Sequence, residues 1–189
     1  MAVRSDDLVV EIGPGRGALT VPLARAGAAV VAVERDPKMV TALRATLDQA
    51  GVAGRVKVIR SDIRRFRWPQ RPYRVVGNLP FGLTTAILEQ MLDHPVEGPT
   101  RADVLVQSVV ARNRADVPPS SLRSAAWAPW WTLEVDEVVS RTAFRPPPSV
   151  DAAWLKIERR HPPVLPVWLA PAFRDTLRTP WAAHNGGRA

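Results

Sequence analysis

The chain has 189 residues, no cysteine, and 26 Lys and Arg against 18 Asp and Glu, a formal net charge of +8. That length suits one well-buried domain rather than two full-sized ones. The missing cysteines exclude disulfides, a thiol nucleophile and a cysteine-based zinc site, no apolar run approaches the roughly 20 residues of a membrane span, and no signal peptide is read. A cysteine-free composition fits a cytoplasmic protein, and a basic balance weighted to Arg favours a polyanionic partner, although a GC-rich genome raises Arg, Pro and Ala as well.

From Leu8 to about Ser108, short apolar runs alternate with amphipathic stretches, the pattern of βα units around a parallel sheet. Leu8 to Ile12 reads as a buried strand, Ala18 to Ala26 as a helix, Ala29 to Val33 as a second strand and Pro37 to Ala50 as a second helix. Pro37 sits where a first-turn proline belongs. Val56 to Ile59, Arg74 to Val76 and Val104 to Val106 predict three further strands, with a helix from about Leu83 to Leu92 between the last two. The fold class is α/β, doubly wound, with its site at the carboxyl ends of the strands.

After Gln107 the pattern is less regular. Arg112 to Arg123 is polar, basic and broken by Pro118-Pro119, which predicts an exposed loop. Trp130 to Val139 and Ala152 to Ile157 predict two antiparallel strands that finish the sheet, joined by the run Phe144 to Val150. From His161 the Pro- and Gly-rich tail supports one short helix around Pro171 to Leu177. The expected organisation is a catalytic domain over residues 1–160 and a short tail over 161–189.

Four candidate site segments fall at successive strand ends. Glu11-Ile12-Gly13-Pro14-Gly15-Arg16-Gly17 follows the first strand and opens the first helix, where glycines let the backbone approach a ligand and free N–H groups face it. A tight strand-to-helix turn explains it equally, and the spacing is not the Gly-x-Gly-x-x-Gly of dinucleotide binding. Glu34 closes the second strand, where a carboxylate can accept both hydroxyls of a ribose, or simply belong to the cap formed by Asp36 and Pro37. Asp62 follows the third strand, placed to accept from an adenine amine with Ile63 beside the ring, or to cap a helical turn.

The fourth segment, Asn78-Leu79-Pro80-Phe81, joins an amide, a proline-fixed turn and an aromatic face. The Asn78 side-chain oxygen and the Leu79 carbonyl supply two acceptors for the hydrogens of an exocyclic amine, Pro80 restricts the turn, and Phe81 can stack on a base. A strand end followed by an ordinary turn is the alternative.

These segments, with Ser61-Asp62-Ile63, Gly77 and the run Phe144-Arg145-Pro146-Pro147-Pro148-Ser149-Val150-Asp151, resemble the S-adenosylmethionine-dependent rRNA adenine N6-methyltransferases, and among them the Erm type that modifies 23S rRNA. Trp127-Ala128-Pro129-Trp130-Trp131 is similar to Erm enzymes of antibiotic-producing actinobacteria, and the resemblance runs from about Leu8 to Arg160. It implies a Rossmann-like methyltransferase fold, a mostly parallel seven-stranded sheet with helices on both faces.

The resemblance implies cofactor binding by Glu11, Gly13, Gly15, Gly17, Glu34, Arg35, Asp62, Ile63 and Asn78, and a catalytic turn of Asn78, Leu79, Pro80 and Phe81. No metal is expected. It further implies methylation of 23S rRNA in an incompletely assembled particle, by a monomer, with macrolide and lincosamide resistance as the consequence. The count of methyl groups stays open, as do a DNA or 16S substrate and a non-catalytic RNA-binding role. Against the family pattern the chain is expected to be shortened at both ends, lacking a Gln-Asn-Phe-Leu-like segment before the first strand and a helical domain after His161, and it reads Ser108-Val109-Val110 where relatives place an acid.

Arg64, Arg65, Arg67, Arg112, Arg114 and Arg123 are candidate RNA phosphate contacts, with a solvated surface as the alternative. The tryptophans, clustered late, are read as packing under the final strands rather than as base-stacking platforms.

Overall fold

The protein is described by a computed structural model over residues 3–185, with side chains through residue 177. Its strands are Leu8–Ile12 (β1), Ala29–Glu34 (β2), Val56–Arg60 (β3), Arg74–Asn78 (β4), Arg101–Gln107 (β5), Trp131–Val139 (β6) and Ala152–Arg159 (β7). The helices are Thr20–Arg25 (α1), Pro37–Gln49 (α2), Thr84–Leu92 (α3), Ser108–Ala115 (α4), Leu122–Trp127 (α5) and Ala170–Asn185 (α6). One seven-stranded sheet has the order β3-β2-β1-β4-β5-β7-β6. Only β7 runs against its neighbours. The chain builds outward from β1 in one direction and then restarts beside it with β4, so the strand order reverses between β1 and β4, where such folds open a ligand crevice.

The two faces of β1 explain its unbroken apolar sequence. Leu8, Val10 and Ile12 enter the larger core with Ile87, Leu88 and Met91 of α3, while Val9 enters a smaller core with Leu23 of α1 and Leu43 and Leu47 of α2. A strand covered on both sides has no polar face to offer. The outer strands differ. Val104, Val106, Leu155 and Ile157 face the larger core, and the alternate positions carry ion pairs, Arg101–Asp103 at 2.7 Å and Lys156–Asp136 at 2.9 Å. Period-two alternation reports that one-sided burial directly.

The stretch expected as a loop from Arg112 to Arg123 is instead two helix ends around a short connection. α4 runs through Ala115 and α5 begins at Leu122, so Pro118-Pro119 interrupts helical structure rather than excluding it. The stripe that buries α4 consists of the small side chains of Ser108 and Ala111, too weak an apolar signal to stand out among its arginines. α5 starts because the Ser121 hydroxyl accepts from the Ser124 backbone N–H at 3.2 Å. Behind these helices Trp127, Trp130 and Trp131 are fully buried, and each indole N–H has a partner: Asp93 Oδ1 at 2.8 Å, the Leu165 carbonyl at 2.9 Å and the Leu92 carbonyl at 3.1 Å. That is the packing role read from the sequence. Trp168 departs from it, being 74% exposed.

The tail also exceeds its expected short helix. α6 begins at Ala170, and Phe173 meets the Trp130 ring edge-on, their centroids 5.7 Å apart.

Candidate functional site

Three backbone hydrogen bonds join the carboxyl ends of the strands. Gly13 N–H donates to the Val33 carbonyl at 3.1 Å, Ser61 N–H to the Glu34 carbonyl at 2.9 Å, and Leu79 N–H to the Leu105 carbonyl at 3.0 Å. With the sheet order, they set the segments side by side as Asp62, Glu34, Gly13 and Asn78. At about 4.8 Å per strand step the row spans roughly 15 Å, suited to an elongated ligand rather than a compact one.

The glycine loop has the geometry its residue types predict. Gly13, Gly15 and Gly17 all have positive φ, at 65°, 55° and 93°. A Cβ on Gly17 would stand 3.0 Å from Leu43 Cδ1, and one on Gly13 would stand 3.5 Å from the Asn78 carbonyl oxygen. The loop therefore lies directly against the turn that begins at Asn78. Gly77 makes that approach possible, since a Cβ there would meet the Ile12 carbonyl oxygen at 2.3 Å.

Beneath the loop, Glu11 is 1% exposed. Burial raises its pKa to about 7, while the facing hydroxyl and amide of Thr20 pull the other way. Thr20 faces the carboxyl without closing the contact: neither Glu11 Oε2 nor the Thr20 hydroxyl has a hydrogen bond of full geometry among the described residues. A buried carboxyl oxygen left without a donor is costly in a structural role and fits one that meets a donor on a ligand.

At the next strand, Glu34 Oε1 accepts from the N–H groups of Arg35 and Asp36, at 2.7 and 2.9 Å. This fixes its rotamer, and Oε2 has no partner among the described residues. Arg35 is exposed beside it.

Asp62 combines both of its readings. Its Oδ1 caps a helical turn by accepting from Arg64 N–H at 3.0 Å, and the Arg64 guanidinium covers both oxygens, with Nη2 2.6 Å from Oδ2. Arg64 holds this carboxyl well below the usual carboxylate range. Ile63, expected at the side of an adenine, is buried in the larger core.

At the end of β4, Asn78 is exposed and its side-chain amide makes no bond to a described residue. Leu79 is buried at 1%, and Pro80 passes its carbonyl to Leu83 N–H at 2.8 Å. Facing the turn is the β6–β7 loop: Asn78, Phe81, Phe144, Arg145, Pro146 and Pro148 border one cavity of about 340 Å³. Because β7 is antiparallel, its first residue lies at the same edge as the last residue of β5, Ala152 opposite Gln107. The loop is pinned there by Arg141 N–H to Asp151 Oδ1 and by Ser108 N–H to the Asp151 carbonyl, both at 2.9 Å. The sequence placed Phe144 and its neighbours in the connection between the last two strands and gave them no site role. Only the strand reversal puts them opposite Phe81.

A larger depression of about 400 Å³ lies between α1 and the β4–β5–β7 face, lined by Leu23, Val76, Asp103 and Trp154 among others. It contains no residue of the four strand-end segments.

Residues 1–179 match the family described as Ribosomal RNA adenine dimethylase. The chain belongs to that family. It is similar to the rRNA adenine N-6-methyltransferase of Corynebacterium diphtheriae, 42% identical over 179 residues, which are 95% of this chain and 68% of the relative. It is similar also to the mycinamicin-resistance protein MyrB of Micromonospora griseorubida, 35% identical over 96% of this chain and 56% of the relative. The crystal structure of the 23S rRNA methyltransferase ErmE superposes with a TM-score of 0.81 at 30% identity, covering 93% of this chain and 70% of that one. The chain thus spans between about half and seven tenths of these relatives. The family's fold is the Rossmann-like, mostly parallel sheet described above, and its methyl donor is S-adenosylmethionine.

The residues present fit that donor: the positive-φ glycines would border its amino-acid part, the free Glu34 oxygen its ribose, and Asp62 its adenine. Bound there, S-adenosylmethionine supplies a methyl group on a positively charged sulfur, which an amine lone pair can take without a strong base.

The candidate RNA contacts divide. Arg65 and Arg67 are exposed. Arg112 is exposed too, its Nη2 3.3 Å from Ser108 Oγ. Three others are engaged within the protein. Arg64 is on Asp62, Arg123 pairs with Glu89, and Arg114 is half-buried over the Trp127 ring with Nη1 on Ser121 Oγ. Burial lowers the Arg114 pKa. A cation committed to a fold contact loses that contact before it can take a phosphate.

Proposed function

We propose that this chain methylates N6 of an adenine in 23S rRNA, using S-adenosylmethionine, and thereby confers resistance of the macrolide and lincosamide type. The observation that carries the reading is the acceptor cavity: an Asn78 amide without a partner among the described residues, at the end of β4 beside the glycine loop, in a cavity it shares with Phe81 and Phe144. The Asn78 oxygen and the Leu79 carbonyl accept from the two N6 hydrogens and point the nitrogen lone pair toward the methyl donor. The aromatic rings hold the flipped base, at the cost of unstacking it from its neighbours. No residue need act as a strong base, since the amine releases its proton to solvent, and positioning supplies most of the rate. Similarity to the 23S enzyme ErmE and to MyrB supports the 23S and resistance parts of the reading.

Residues 1–160 form the catalytic domain in this reading, acting as a monomer in the cytoplasm on an incompletely assembled ribosomal particle. No helix among the described residues is long and apolar enough to cross a membrane.

The test is label transfer from S-adenosylmethionine to 23S rRNA, 16S rRNA and duplex DNA, with mass analysis of the product and a drug-resistance assay in a sensitive host. Label in 23S adenine with one or two added methyl groups supports the reading. Label in 16S rRNA or DNA redirects it, and RNA binding without any transfer makes the chain a binding module.

A further inference from the structure

Arg145 stands apart among the residues that border the acceptor cavity. The others include Asn78, Phe81, Phe144 and Pro146, all uncharged, so among the described residues Arg145 is the one cation at its wall. Its guanidinium is exposed and has no hydrogen bond or ion pair with a described residue. Its neighbour Arg141, by contrast, reaches back to the Ser149 carbonyl at 3.5 Å and helps close the loop.

An exposed arginine is usually a solvated one, and its stem is flexible. Here the backbone beneath it is restricted. Three consecutive prolines, Pro146 to Pro148, fix φ on one side, and Phe144 is engaged in the cavity on the other. Both ends of the loop are tied through Asp151 to Arg141 and to the start of α4. The loop thus presents a guanidinium at the rim of a cavity whose interior suits an uncharged planar base. A base brings no anion to such a rim. A nucleotide within a chain does, because its backbone phosphates lie one ribose away from the base.

We propose that Arg145 grips a backbone phosphate flanking the target adenosine, so that the enzyme distinguishes an adenine within a polynucleotide from a free nucleoside. This rests on the acceptor-site reading above. The planar fork of the guanidinium matches two phosphate oxygens at once, which an ammonium cannot do. Arg145 is a positioning residue in this role: it places the base between Phe81 and Phe144 and touches no reacting atom.

The experiment uses the full chain and an RNA fragment containing the methylated adenine, mapped as described above. In one RNA the phosphate 5′ of that adenosine is replaced by an uncharged methylphosphonate, in another the 3′ phosphate. Arg145→Gln raises KM for unmodified RNA about tenfold, leaves kcat within about threefold, and lowers the salt slope of RNA binding by about 0.7, the value of one single-strand phosphate contact. Wild type loses a similar factor on one of the two modified RNAs, on which Arg145→Gln loses nothing further. Arg145→Lys recovers part of the loss on native RNA. Binding of S-adenosylhomocysteine is unchanged in both variants, which separates a phosphate contact from a disturbed fold.

Losses that multiply when variant and modified RNA are combined would overturn the assignment. So would a fall in kcat at constant KM. Methyl transfer by wild type to free adenosine as readily as to RNA would sink it while leaving the methyltransferase reading intact. A wild type that methylates no RNA would take down both.

Discussion

In the proposed site, the cofactor half of the cleft and its acceptor half are built by different means. Glu11 to Gly17, Glu34 and Asp62 each sit within a few residues of the strand that carries them, and the parallel order of β3, β2 and β1 sets them in a row. The acceptor half needs two distant segments, Asn78 to Phe81 after β4 and Phe144 to Pro148 before β7, brought together across β5. The first half is therefore robust to change elsewhere in the chain. The second depends on the outer strands, whose exposed face carries ion pairs rather than an apolar core.

The two halves should come apart most clearly at Asn78. Asn78→Ala removes an acceptor from an exposed position, so methyl transfer should fall about 100- to 1,000-fold while thermal unfolding and S-adenosylhomocysteine affinity stay near wild type. Equal loss of both functions would mean that the two halves are not separable.

Gly77→Ala attacks the seam between them. The added Cβ would meet the Ile12 carbonyl oxygen at 2.3 Å, so β1 and β4 must part locally. A cost of more than about 3 kcal/mol is expected in urea unfolding, a loss that cofactor does not restore.

Glu11 tests the cofactor half alone. Its folded pKa, about 7, lies above the 4.5 of an unperturbed carboxyl, so the folded state holds the proton more tightly. Its contribution is fully present below about pH 4.5 and is lost as pH rises through about 7, a swing of about 3 kcal/mol. Glu11→Gln should flatten that part of the stability profile and be the more stable protein at pH 8, while binding S-adenosylhomocysteine more weakly. Parallel pH profiles for the two proteins would refute this.

The smallest effect is expected at Arg64, whose N–H and guanidinium groups take up the acceptor positions of Asp62. An exposed pair of this kind competes weakly, so Arg64→Ala should tighten S-adenosylhomocysteine binding by no more than about fivefold. Weaker binding in the variant would show instead that Arg64 holds Asp62 in its working position.

The strands, their order of appearance and the residue types at their carboxyl ends can be read from the residues alone, because buried parallel strands require continuous apolar runs and close backbone approaches to a ligand require glycine. Gly13 to Gly17, Glu34 and Asn78 were legible for that reason. α4 was not, since Ser108 and Ala111 bury too little apolar surface to mark a helix among charged neighbours. Nor was the commitment of Arg64, Arg114 and Arg123 to partners within the fold, because a charge looks the same in a sequence whether or not it faces a countercharge. The antiparallel pair at the end of the sheet was legible too; that β7 rather than β6 lies against β5, and with it that Phe144 and Arg145 share a cavity with Asn78 and Phe81, only the fold could decide. Which strand neighbours which is settled by long-range pairing, which the residues of a single strand do not encode.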